Sequence, residues 1–134
     1  MIRRWQDGEW TDTEIKVYKN GVGPWRDVSR RELFDSPGSA FQVRYFKVEP
    51  EGYTSFEFHV HEHCVVVLHG SGQVRLGDTW HDIATCDVIS VMMETPHQFR
   101  AGAEGLGILC VVDRERDRPV LLQNEVGAGA SEQG

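Results

Sequence analysis

The chain has 134 residues, the size of one domain around a single core. Its 14 Lys and Arg against 21 Asp and Glu leave a formal charge of −7, which excludes a protein that grips nucleic acid or an anionic membrane through a cationic footprint. No apolar run nears the roughly 18 residues of a membrane-spanning helix, and the polar start from Arg3 offers no signal-peptide core, so a cytoplasmic location is expected.

Residues 1–24 mix charges with Gly21, Gly23 and Pro24 and predict an N-terminal arm or added edge strand. Residues 25–122 then form one domain in which short apolar runs rich in Val, Ile, Phe and Tyr alternate with Gly, Pro, Asp and Asn, an all-β pattern. Strands are predicted at 26–34, 41–49, 53–60, 63–69, 72–76, 79–83, 87–92, 97–101 and 106–113. Glu49-Pro50-Glu51-Gly52, Gly70-Ser71-Gly72 and Gly77-Asp78 supply the fixed φ and the positive φ that chain reversals need, so three hairpins are expected there. So many strands between 26 and 113 do not fit one flat open sheet; closure into a barrel or two-sheet jelly roll follows. Residues 123–134, with Gly-Ala-Gly-Ala-Ser, predict a flexible tail.

Cys64, Cys86 and Cys110 form no CxxC pair and are expected to be reduced thiols acting as small hydrophobes; only Cys64, beside a run of histidines, is a candidate catalytic or ligating thiol. That run, Glu57-Phe58-His59-Val60-His61-Glu62-His63-Cys64, carries the chemistry. On a strand Glu57 and His59 share one face while Phe56 and Phe58 share the other. A turn at 60–62 returns His63 beside His59, and Glu94-Thr95-Pro96 delivers His97 at the start of a later strand. Burying a carboxylate and several imidazoles demands partners, and a metal ion satisfies several of them at once. The alternative is a solvated histidine-rich hairpin tip. His69 and His81, with no partner at a telling spacing, are expected to be structural.

Together Pro50-Glu51-Gly52, Glu57-x-His59-x3-His63, Val67-Leu68-His69-Gly70-Ser71-Gly72, Gly77-Asp78 and Pro96-His97-Gln98-Phe99 resemble a small single-domain cupin over about residues 40–113. The resemblance implies a double-stranded β-helix, or jelly-roll barrel, with Glu57, His59, His63 and His97 as metal ligands. Glu57 stands where the family usually has His and His63 where it usually has Glu or Gln, so three imidazoles and one carboxylate are kept with types exchanged. His61 offers a second His-x-His register and joins or replaces a ligand in that alternative. Cys86-Asp87 stands where many relatives have Gly-Asp.

Such a mixed nitrogen and oxygen site suits one divalent transition metal, Mn, Fe, Ni, Co or Zn, over Ca or Mg. Strand parity places Tyr53 and Ser55 with Glu57, and Val67 and Phe99 with His63 and His97, as a substrate pocket for a small molecule. The expected protein is a metal-dependent enzyme, a dioxygenase on an enolisable substrate or an isomerase or lyase, with Glu57 as the group able to act as base. A non-catalytic small-molecule binding or sensing module is the alternative. Outward-facing Phe56 and Phe58 suggest a homodimer surface, and neither nucleic acid nor a membrane is an expected partner.

Overall fold

The computed structural model describes residues 1–19, 24–116 and 120–122; the predicted tail from 123 lies outside the described residues. The elements are β1 (Trp5–Gln6), β2 (Glu9–Trp10), β3 (Lys16–Val17), β4 (Arg26–Phe34), β5 (Phe41–Tyr53), β6 (Glu57–Phe58), β7 (His63–Leu76), β8 (Thr79–Ala84), β9 (Val88–Val91), β10 (His97–Asp113) and β11 (Val120–Leu121). Strands β1 and β2 pair as a separate hairpin, and β3 is an edge strand on β4, so the N-terminal segment divides into two pieces. All others join one antiparallel sheet in which β10 lies between β5 and β7, while β7 pairs along its other edge with β9 and then β8.

The long strands differ from the prediction in one consistent way. Glu49–Gly52 and Gly70–Gly72 do not reverse the chain; β5 and β7 run through them and bend. On β5 the pairing with β10 jumps from Val48↔Leu106 to Tyr53↔Arg100, with Glu51 at φ 67°, so both strands bulge together and resume. On β7 the bend falls at Gly70, φ 79°, where an added Cβ would lie 2.1 Å from the Gly105 carbonyl oxygen. The two crests touch there, and only glycine admits the contact. The bend hands β7 from β9, paired at 63–66, to β8, paired at 71–76, as a jelly roll requires. Gly77-Asp78 does reverse, joining Leu76 to Thr79. Cys86 adopts φ 77°, the left-handed conformation that glycine favours, with its thiol exposed.

Inward residues form one cluster, including Val28 of β4, Phe46 and Val48 of β5, Val65 and Val67 of β7, and Ile108, Cys110 and Val112 of β10. Each buried aliphatic side chain stabilises the fold by about 1.5–3 kcal/mol, which holds the curled sheet closed. The outer face is covered too: Trp5 and Trp10 pack on Tyr45, each with ring centroids 5.7 Å away. Phe56 does not face outward as the alternation implies. The segment before β6 is not a strand, so parity fails there, and Phe56 is buried beneath the Arg75 guanidinium at 4.1 Å.

Candidate metal centre and cavity

Three short stretches bring the histidines together. Strand β6 pairs Glu57 with His97 at the start of β10, the 60–62 turn brings His63 back at the start of β7, and Glu94 N–H donates to the His59 carbonyl at 2.8 Å. One coordinating nitrogen from each of His59, His63 and His97 lies within 4.8 Å of the others. His59 Nδ1–H donates to the His61 carbonyl at 2.9 Å and His97 Nδ1–H donates to the Thr95 carbonyl at 2.8 Å. Carbonyls only accept, so these bonds fix the tautomers and leave both Nε2 atoms as bare lone pairs. His63 Nδ1 rests 3.2 Å from Cys110 Sγ, and its Nε2 is 2.7 Å from His59 Nε2.

Burial, then His97 and His61 alongside, depresses His59 to about 4. Burial, then His97 and His59, depresses His63 to about 2. His97 is also lowered, chiefly by burial. The cluster is therefore neutral at physiological pH, with its ring nitrogens converging and with backbone carbonyls orienting His59 and His97, and the Cys110 sulfur His63, from behind. This arrangement fits a divalent transition metal, whose histidine ligands must be deprotonated and are held by such outer hydrogen bonds.

Glu57 is buried beside this group but turned from it. Its Oε1 accepts from the Ser55 hydroxyl at 2.6 Å and pairs with Lys19 Nζ at 3.2 Å. Ser55 Oγ in turn meets the Tyr18 hydroxyl at 3.0 Å, a phenol pushed well above its usual range by burial and the Glu57 charge. His61 stacks on His59 with centroids 3.7 Å apart and stands outside the three-nitrogen group.

A cavity of about 460 Å³ opens over the cluster, lined by Ser55, Glu57, all four of His59, His61, His63 and His97, and by Val65 and Phe99. Tyr53 and Val67 are not part of its wall. Val67 shares the face of His63 and Val65 but is fully buried, one step deeper in the core than the cavity floor, and Tyr53 precedes the non-strand stretch where the alternation breaks. Cys64 is exposed, because its neighbour His63 takes the inward position; the thiol at the site is Cys110. The sequence reading also missed Tyr18, Lys19, Arg30, Arg44 and Arg116 in the wall. For Arg44 a signal existed: it alternates with Phe46 and Val48, and a charge at an inward position asks for an explanation. His69 lies on the outer face, its Nε2 2.5 Å from the Tyr45 hydroxyl.

No family model matches the chain. It is 40% identical over 114 residues to the 1-methylthio-D-xylulose 5-phosphate methylsulfurylase of Rhodospirillum rubrum, covering 84% of this chain and 73% of that protein. The crystal structure of a cupin 2 conserved barrel domain protein from Rhodopseudomonas palustris superposes with a TM-score of 0.86 at 39% identity, over 93% of this chain and 88% of that one. The polyketide cyclase RemF of Streptomyces resistomycificus superposes at 0.75 with 27% identity, over 89% and 84%. With a curled antiparallel barrel, a histidine cluster under its mouth and relatives of this likeness, the chain belongs to the cupin-2 family of conserved-barrel proteins.

Proposed function

We propose that this protein is a metal-dependent enzyme that acts on a small phosphorylated carbonyl compound, of the kind its curated relative is named for, by proton transfer next to the carbonyl. The observation that carries the reading is the convergence of His59, His63 and His97, their nitrogens within 4.8 Å, on a cavity that also holds the buried Glu57 carboxylate. A divalent transition metal held by those three histidines supplies Lewis acidity, which makes a carbon next to a coordinated carbonyl more acidic. Glu57 is the base in this reading: Ser55 and Lys19 hold its Oε1, and the carboxylate takes the proton while the C–H electron pair moves toward the carbonyl. Lys19 and Ser55 hold the carboxylate in place, and Val65 and Phe99 give the chamber its apolar wall.

This reading favours lyase or isomerase chemistry over the dioxygenase alternative, since proton transfer consumes no oxygen. Turnover of a 1-substituted ketose 5-phosphate is the direct test, followed with an oxygen electrode and with solvent deuterium. Exchange at the carbon next to the carbonyl without oxygen uptake is expected. Oxygen consumption matching product would establish the dioxygenase instead, and tight binding without any exchange would make the protein a binding module.

A further inference from the structure

The cavity holds more positive charge than the histidine chemistry uses. Lys19, Arg30, Arg44 and Arg116 line it against one carboxylate, Glu57, so the wall carries 4 − 1 = +3 in a chain of formal charge −7. Two of the four cations have carboxylates. Lys19 has Glu57 at 3.2 Å, and Arg30 Nε lies 3.2 Å from Glu32 Oε2 while Lys16 takes Oε1 of the same residue at 2.7 Å.

Arg44 has none. It sits across from Glu32 on β4 and Cys110 on β10, but both Glu32 oxygens are already engaged. What remains is the Cys110 sulfur at 3.7 Å and the Phe46 ring at 5.1 Å, and its Nε is buried without a hydrogen-bond partner. Arg116 enters the wall just after β10, its Nη1 donating to the carbonyls of Asp113 and Arg114 at 2.9 and 3.1 Å. Burial, with Arg44 and Arg30 nearby, pushes its guanidinium below the usual range. Guanidiniums gathered in a half-enclosed space, two of them, Arg30 and Arg44, with a buried Nε that no hydrogen bond reaches, are unfavourable on their own and become favourable when a multivalent anion lies between them.

We propose that Arg44 and Arg116, together with Arg30, form a subsite for the phosphate group of the substrate in the same cavity as the histidine cluster, on the side where Arg44 and His63 share the Cys110 sulfur. The assignment rests on reading that cavity as the substrate chamber. Phosphate suits it better than carboxylate because three or more oxygens serve several planar forks at once, and its double negative charge matches the surplus in the wall. The phosphate subsite then orients the substrate while Glu57 and the histidines face its carbonyl end.

The test uses inorganic phosphate on the whole chain stripped of metal, titrated by calorimetry and by 31P NMR, with acetate as the carboxylate comparison. Phosphate is expected to bind and acetate to bind at least about tenfold more weakly. Arg44→Gln and Arg116→Gln should each weaken phosphate by about tenfold or more, Arg44→Lys should fall between, and the exposed Arg26→Gln should change nothing. If Arg44→Gln fails to fold, Arg116→Gln and Arg44→Lys carry the test. In His59→Ala/His97→Ala, which abolishes the histidine cluster, phosphate binding should survive; this separates the subsite from the metal reading. Equal affinity in wild type and both Gln variants, equal affinity for acetate, or binding only when metal is loaded would each overturn the proposal.

Discussion

Two histidine environments sit on opposite faces of the same sheet, and they differ in where the second ring nitrogen goes. On the outer face His69 stacks near Trp5, with centroids 4.9 Å apart, and its Nε2 meets the Tyr45 hydroxyl, so its polar atom is satisfied within the protein. On the inner face His59 and His97 spend Nδ1 on backbone carbonyls and turn Nε2 toward His63 and one another. A buried imidazole is therefore not a ligand by virtue of burial. What marks the inner cluster is that the Nδ1 bonds of His59 and His97 run outward to the backbone while a nitrogen of each of the three rings turns toward the others.

The comparison can be broken at either end. Changing His59 and His97 together to Ala should take metal content, measured on protein purified without chelator, from about one ion per chain to below about 0.1. His69→Ala should leave that content unchanged; a parallel loss would erase the distinction between the two faces. Glu57→Gln should keep the metal while slowing turnover by about 10²–10⁴-fold, the range expected on removing a general base. If the metal leaves with it, Glu57 is a ligand and the base lies elsewhere.

Gly107→Ala probes the outer face. Its Cβ would fall 2.2 Å from the His69 ring and 2.5 Å from the Tyr45 hydroxyl, so denaturant unfolding should show a loss of about 1–3 kcal/mol with metal content retained. A pH series on metal-free protein sharpens the inner face. His59 and His63 are depressed to about 4 and about 2 in the folded state, against an ordinary value near 6.5 in the unfolded chain. The unfolded state binds protons first, so the stability these rings confer is complete above pH 6.5 and is lost as pH falls toward 4. The melting temperature of the metal-free protein should drop across that window. Tyr45→Phe has the smallest effect, about 1 kcal/mol from the unmet His69 nitrogen.

Much of this was legible in advance because β-structure writes its faces into alternation: Val65, Val67, Phe46 and Val48 are inward where parity puts them, and the histidine spacing announced the cluster. The bends were not. Gly70 carries the same φ in a bend as in a hairpin, and what decides between them is whether the neighbouring strand also swells, here at Gly105, a contact no local pattern contains. Glu57 lines the same cavity as the histidines, but its Oε1 is held by Ser55 and by Lys19, a residue from an aperiodic segment far upstream. Arg116 follows the last long strand and reaches the cavity only through the curl of the sheet.

That curl has a mechanical meaning. Strands β7 and β10 are zipped together from His63↔Val112 at one end to Leu76↔His97 at the other, so the two imidazoles begin at opposite ends of one ladder. Laid flat, the 13 steps from 63 to 76 would hold them about 40 Å apart at 3.3 Å per residue; in the folded chain their ring centroids are 5.1 Å apart. The histidine cluster is thus a latch across the two ends of a rolled ribbon. An ion held by these three rings would clasp the two ends of the ribbon together.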